Sequence, residues 1–263
     1  MHEISIRVPA ARVEAALDAL LPLAPRGVLE MPRGDEVELR LRGAPEELPS
    51  RARLAAAAGP GTIAEREVPD DWYERRRLDY EPVVLGGRLV VRPAWAPPQP
   101  GVIDVALEER TAFGTGTHPT TRACLEELLA LPSGGGFADL GCGSGVLGIA
   151  AAKLGWAPVT ALDASSEAVE ATLANAAANG VVLTVHAADL TTEAPPAAST
   201  MAANVPPGVH AALAERLVEA PGTLLISGFR HDEVDAVLRG YAARGLRERS
   251  RRLEGEWAIV TLG

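Results

Sequence analysis

Lysine is almost missing from this chain. Only Lys153 is a lysine, against 24 arginines. Ala, Gly, Pro and Arg are raised together, which points to GC-rich codons. An enzyme acting on lysines would also gain from carrying almost none of its own, and composition does not separate the two. Positive charge is in deficit overall. A net charge of −10 argues against a nucleic-acid-binding surface, which needs clustered Lys and Arg to neutralise phosphates. It is compatible with a basic protein partner. Cysteine is nearly absent too. Cys124 and Cys142 make neither a disulfide framework nor a metal-ligand spacing, so no metal and a reducing cytoplasmic compartment are expected. No apolar run reaches the roughly 18 residues of a membrane span, and no basic-then-apolar leader opens the chain.

Apolar residues make up 47% of the 263 positions, ample for one large domain or two smaller ones. Residues 1–68 read as a unit of their own. Glu3–Val8 alternates like a strand. Ala10–Leu21 carries Val13, Ala16, Leu17, Leu20 and Leu21 on one helical stripe. Gly27–Met31 and Glu36–Arg42 read as strands about the turn Pro32-Arg33-Gly34-Asp35. Ala44–Ala58 reads as a helix and Gly61–Val68 as a strand. The order βαββαβ predicts a small ferredoxin-like α+β domain. Residues 69–101 read as a connector with local structure. It holds Trp72, Tyr73, Tyr80 and Trp95, four of the chain's ten aromatics, taken as packing anchors. Leu85–Pro93 within it reads as a hairpin or strand, and Ala96–Gly101 as a stiff proline-rich segment.

From residue 102 to 263 strands and helices alternate. Helices are predicted at 119–131, 146–154, 166–179, 208–219 and 231–243. Strands are predicted at 137–140, 159–163, 181–187, 200–204, 223–227, 246–251 and 257–262. The fold class is α/β: a doubly wound, mostly parallel seven-stranded sheet with a terminal hairpin.

The chemistry centres on Asp139-Leu-Gly-Cys-Gly-Ser-Gly145, between a short apolar run and a helical segment. Glycines there let the backbone turn tightly and lie close to a ligand. Gly143, Gly145 and Gly148 also fit the dinucleotide pattern, which alone is weak. The acids decide. Asp139 sits two residues before Gly141, a poor neighbour for a pyrophosphate. It suits S-adenosylmethionine, which carries a sulfonium and an ammonium and no phosphate. Asp163 ends the next strand, 22 residues beyond Gly141, where an acid can accept bonds from ribose hydroxyls. Asp189 follows a third strand. Each Asp alone could simply cap a helix or turn; three in register with a glycine loop point to the methyl donor.

A second glycine loop lies upstream, Ala112-Phe113-Gly-Thr-Gly-Thr117-His118-Pro119-Thr-Thr121-Arg122. Thr117 is expected to cap the following helix, with Pro119 in its first turn. The loop's N–H groups and threonine hydroxyls are suited to a carboxylate, and Phe113 to covering the adenine or the sulfonium. His118 reads as structural, because methyl transfer from a sulfonium to an amine needs alignment more than a strong base. Asn204 ends the fourth strand, and its oxygen could accept a bond from the attacking amine. The other reading is a turn residue before two prolines.

The loop at 113–121, the 139–145 motif, Asp163, Ala203-Asn204, Gly255-Glu-Trp257 and Arg92-Pro-Ala-Trp95 together resemble the PrmA family, across nearly the whole chain. The resemblance implies a methyltransferase that uses S-adenosylmethionine. It implies methylation of lysine ε-amines and an N-terminal α-amine on ribosomal large-subunit protein eleven, which the N-terminal domain grips. It carries cofactor contacts onto Thr121, Gly141, Asp163 and Asn204; the catalytic role expected of Asn204 rests on its place at the fourth strand end. Phe113, Thr117, Asp139, Gly143, Gly145 and Asp189 complete the expected cofactor site. Val205-Pro-Pro-Gly208 departs from the aliphatic run usual after the Asn, which bears on the amine pocket, and Glu109-Arg-Thr111 departs from the usual lead-in. The competing readings are a glutamine-amide or small-molecule methyltransferase, a nicotinamide oxidoreductase, and a non-catalytic binding module.

Overall fold

The computed structural model describes residues 2–24, 27–59, 61–68, 82–108, 116 and 118–263. The chain divides into two compact units, Met1–Tyr80 and Glu81–Gly263.

In the smaller unit β1 (His2–Pro9) lies between β3 (Glu36–Gly43) and β4 (Thr62–Glu67), with β2 (Val28–Arg33) outside β3. All neighbours are antiparallel. Alternation assigns the faces. Ile4, Ile6, Val8, Leu39 and Leu41 form a core with Leu20 of α1 (Val13–Leu20) and Leu54 of α2 (Arg51–Ala58). On the other face Glu3 accepts from Arg42 Nε at 2.5 Å and from Arg66 Nε at 2.7 Å. The helix predicted at 44–58 is shorter than expected. Ala44 and Glu47 close a turn on each other, and Pro49 has no N–H to give. The helix starts only after Ser50, whose hydroxyl caps Arg53 N at 3.4 Å.

The larger unit has a mostly parallel sheet. Its order is β10 (Thr184–Ala187), β9 (Val159–Asp163), β8 (Phe137–Leu140), β11 (Thr200–Asn204), β12 (Thr223–Arg230), β14 (Trp257–Leu262), β13 (Glu248–Glu254). The first five are mutually parallel; β14 returns antiparallel to β12 and pairs with β13 as a hairpin. Both faces are buried, which is why these strands are apolar runs. Phe137, Ala161, Ala202, Leu225 and Ile259 pack on one side, over α3 (Pro119–Ala130) and α4 (Val146–Leu154). Leu140, Leu162, Met201, Ala203, Leu224 and Val260 pack on the other, with Leu213 of α6 (Pro207–Arg216) and Tyr241 of α7 (Val234–Ala242). The third strand is shorter than the predicted 181–187. Val181 N bonds back to Ala176 O, the end of α5 (Ser166–Ala178), before the chain extends.

Part of the stretch expected as a connector belongs to this unit. β5 (Val83–Leu85) and β6 (Leu89–Pro93) form a three-stranded sheet with β7 (Ile103–Leu107), β6 and β7 parallel. Buried Arg92 fastens it, with Nε and Nη2 each 2.7 Å from the two oxygens of Asp104 and Nη1 2.5 Å from Ala96 O. Such a fork geometry suits guanidinium and carboxylate. Trp72, Tyr73 and Tyr80 lie outside the described residues. Among the described residues no helix is long and apolar enough to cross a membrane.

Candidate active site

The strand order reverses at β8, between β9 and β11. Open α/β sheets bind ligands at the carboxyl ends of the strands beside such a switch point. Asp139, Asp163 and Asn204 lie at or next to the carboxyl ends of β8, β9 and β11.

The glycine turn after β8 is stitched to β9. Gly141 N and Cys142 N both donate to Leu162 O, at 2.8 and 2.9 Å. Gly143 N donates to Asp163 Oδ2 at 2.9 Å, and Ser165 N to Asp163 Oδ1 at 2.9 Å. A carboxylate has about four acceptor sites, so half-buried Asp163 keeps capacity for further donors. From behind, Thr172 Oγ1 donates to Gly143 O at 3.1 Å and Asn175 Nδ2 to Ser144 O at 2.8 Å. Sequence reasoning did not single out these two α5 residues. Their signal was two polar side chains, three apart on one face of an alanine-rich helix.

Asp139 is 1% exposed, and its Oδ2 accepts from Gly148 N at 2.8 Å. Burial pushes its carboxyl up to about 7; the Gly148 bond opposes the shift and the charge of Asp163 adds to it. Asp189 sits at the edge beyond β10. Its Oδ1 takes both Thr191 N at 2.8 Å and Thr191 Oγ1 at 2.6 Å, and these bonds hold its carboxyl below the usual range.

Asn204 reaches the same region across β11. Val205 N donates to Ser227 O at 3.0 Å. This close approach needs the bulge in β12 at Gly228, where φ is 92° and a β-carbon would sit 2.4 Å from Val205 O. Asn204 Nδ2 donates to Thr120 Oγ1 at 3.1 Å. Thr120 also stands 2.7 Å from His118 Nδ1. The cap of α3 is His118, whose Nδ1 accepts from Thr120 N, where Thr117 was expected; Thr117 and Phe113 lie outside the described residues. Burial lowers the pKa of His118, and Trp257 packs edge-on to its ring with centroids 5.3 Å apart. Next to Thr120, Thr121 is 1% exposed, and its Oγ1 has no hydrogen-bond partner among the described residues.

The sequence model of the family described as ribosomal protein L11 methyltransferase (PrmA) matches residues 53–262. The chain belongs to the PrmA family. A ribosomal protein L11 methyltransferase of Geobacter metallireducens is 34% identical, over 98% of this chain and 96% of that one. Another, of a Synechococcus species, is 34% identical over 100% of this chain and 88% of its own. A crystal structure of the ribosomal protein L11 methylase of Lactobacillus delbrueckii subsp. bulgaricus is 25% identical, with a TM-score of 0.63, and covers 70% of this chain and 97% of that one. Residues 113–121, 139–145, 163, 203–204 and 255–257, which carried the resemblance, all fall inside the PrmA match.

Proposed function

We propose that this PrmA-family chain transfers methyl groups from S-adenosylmethionine to lysine ε-amines and an N-terminal α-amine of ribosomal protein L11, in the cytoplasm. What supports the reading is that Gly141, Asp163 and Asn204 lie at strand ends beside one strand-order switch, with Thr120, the neighbour of Thr121, bonded to Asn204, in a chain that belongs to this family.

The residues fit the cofactor. Thr121 carries a buried hydroxyl without a partner among the described residues, which a ligand carboxylate can take. Asp163 has lone pairs for ribose hydroxyls. Gly141 has φ 75° and no β-carbon, so its backbone can approach a ligand. Gly143 and Gly145 shape the same turn, which Asp139 braces from below. Asp189 is assigned to the adenine side; Phe113 and Thr117, outside the described residues, remain assigned to the cofactor from the sequence alone. When bound, the cofactor supplies an electrophilic methyl group on a sulfonium. Asn204 Oδ1 accepts an N–H of the incoming amine and orients its lone pair. His118, kept neutral by burial, holds Thr120 rather than taking the substrate's proton; a neutral amine aligned with the transferred methyl needs no strong base.

The smaller unit is read as ferredoxin-like, its βαββαβ order and strand order β2-β3-β1-β4 supporting this, and as the grip on ribosomal protein L11. The larger unit is read as the seven-stranded methyltransferase domain. Neither the net charge nor any feature above calls for nucleic acid or membrane as a partner.

The test is transfer of labelled methyl from S-adenosylmethionine to purified ribosomal protein L11. Label is expected on the native protein and lost when its amines are blocked by acetylation. Equal labelling of the acetylated protein would contradict an amine acceptor.

A further inference from the structure

We infer that Thr120 and His118 are positioning residues that fix which end of the Asn204 carboxamide faces the substrate. The inference deepens the reading of Asn204 as the amine acceptor and rests on it.

One donor beside His118 cannot be reversed. Thr120 N points at His118 Nδ1, 3.3 Å away. A backbone N–H only donates, so Nδ1 carries a lone pair and the ring proton is on Nε2. Thr120 Oγ1 lies 2.7 Å from the same Nδ1. An unprotonated ring nitrogen cannot donate, so the hydroxyl gives it its only proton. Toward Asn204 the hydroxyl can then only accept. The carboxamide atom 3.1 Å from it must be the NH2 end. The reversed amide would set two oxygens with no proton between them face to face, at a threonine that is 1% exposed, where an unsatisfied polar pair is costly. Oδ1 is therefore turned away from Thr120.

The relay is held at both ends. Trp257 packs against the imidazole, and burial keeps that ring neutral, as the acceptor role of Nδ1 requires. On the other side, Val205 N on Ser227 O and the Gly228 bulge fix the backbone beside Asn204. The site thereby offers a pure acceptor. It suits a substrate group that brings an N–H and disfavours one that must itself accept. His118 acts three hydrogen bonds away from the amine, through Thr120 and Asn204.

The test compares Thr120→Val with Thr120→Ser in the full-length protein. Valine keeps the shape and removes the hydroxyl; serine keeps the hydroxyl. Thr120→Val is expected to lower kcat about tenfold, the effect of one oriented hydrogen bond, with affinity for S-adenosylmethionine and KM for ribosomal protein L11 unchanged. Thr120→Ser is expected to restore kcat. Nitrogen-15 spectra of the wild-type imidazole are expected to show His118 protonated on Nε2 alone. Unchanged kcat in Thr120→Val, a Thr120→Ser as slow as Thr120→Val, or a wild-type His118 protonated on Nδ1 near neutral pH would each overturn the inference. The wild-type spectrum decides even if Thr120→Val does not fold. Asn204→Ala separates the two layers. A slow Asn204→Ala beside a fully active Thr120→Val removes the relay alone. An Asn204→Ala with full turnover removes the amine-acceptor reading and the relay's role with it.

Discussion

Gly141 lies against Val205: a β-carbon on the glycine would stand 2.4 Å from Val205 Cγ1. The turn that follows β8 and the segment that carries Asn204 are thus in direct contact, and each limits the shape of the other. Gly141→Ala is expected to destabilise the protein twice over. The left-handed backbone at φ 75° costs a non-glycine residue about 1–3 kcal/mol. Overpacking against Val205 adds about 1–3 kcal/mol. Val205→Ala in the same chain should relieve the second part only. Denaturant unfolding of the single and double variants checks this, and a Gly141→Ala as stable as wild type would contradict the contact.

Asp163→Ala should weaken binding of S-adenosylmethionine by about 1–3 kcal/mol, because ribose hydroxyls lose their acceptor. Gly143 N also loses its partner, so part of the loss is loop order. Asp163→Asn should keep one acceptor oxygen and fall between alanine and wild type. Calorimetry on folded variants measures it. Unchanged affinity in Asp163→Ala would remove this residue from the site.

Two buried groups should pull stability in opposite directions with pH, measured without cofactor. Asp139 is pushed up to about 7 by burial, from about 3.9 when unfolded. Between those values the folded state keeps a proton that the unfolded state has released. Its contribution therefore falls as pH rises, by about 1.4 kcal/mol per pH unit. His210 is pushed down to about 4 by burial, against hydrogen bonds to the Ser227 and Val205 backbone, from about 6.5 unfolded. There the unfolded state holds the extra proton, so stability falls as pH drops from about 6.5 to 4. In wild type the two slopes largely cancel across that window. Asp139→Asn should expose a stability that rises with pH. His210→Leu should expose one that falls with pH, on top of a constant loss because Tyr241 Oη, 2.8 Å from His210 Nδ1, loses its partner. Parallel pH profiles for all three proteins would contradict both assignments.

The division at Tyr80 and Glu81 gives a place to cut. A cut near Ala96 would sever Arg92 from Asp104 and β6 from β7. A chain beginning at Glu81 keeps the three-stranded sheet, the glycine turn and Asn204. It should bind S-adenosylmethionine normally and lose turnover on intact ribosomal protein L11, because the contacts that orient the amine are gone. Full turnover would show that the smaller unit does not select the substrate.

The strands Phe137–Leu140, Val159–Asp163, Thr200–Asn204 and Trp257–Leu262 and the helix Val146–Leu154 were legible to the residue. Each is an apolar run closed by a turn-forming residue or a change of period. Pairings across distance were not. Leu89 meets Ile103 across a proline-rich stretch that read as a spacer, and nothing local announces a parallel partner there. Pro45 and Pro49 did announce the late start of α2; the alanine-rich run beyond them outweighed that signal. At the site, Asp139, Asp163 and Asn204 stood out because acids and amides at strand ends are chemically distinctive. Thr120 did not, in a loop with four threonines. Its role depends on His118 and Asn204, which are 84 positions apart from the threonine in the second case. The same holds for His118 as cap: Thr117 offers equal local chemistry, and the ring contact of His118 with the distant Trp257 leaves no local signal.

Mass spectrometry of ribosomal protein L11 after incubation with this protein and S-adenosylmethionine decides whether its amines are methylated. Ribosomal protein L11 is expected to gain mass in steps of one methylene per methyl, with fragments placing every gain on a lysine ε-amine or the N-terminal α-amine. No mass gain with an active, cofactor-binding preparation, or gains placed on glutamine side chains, would contradict it.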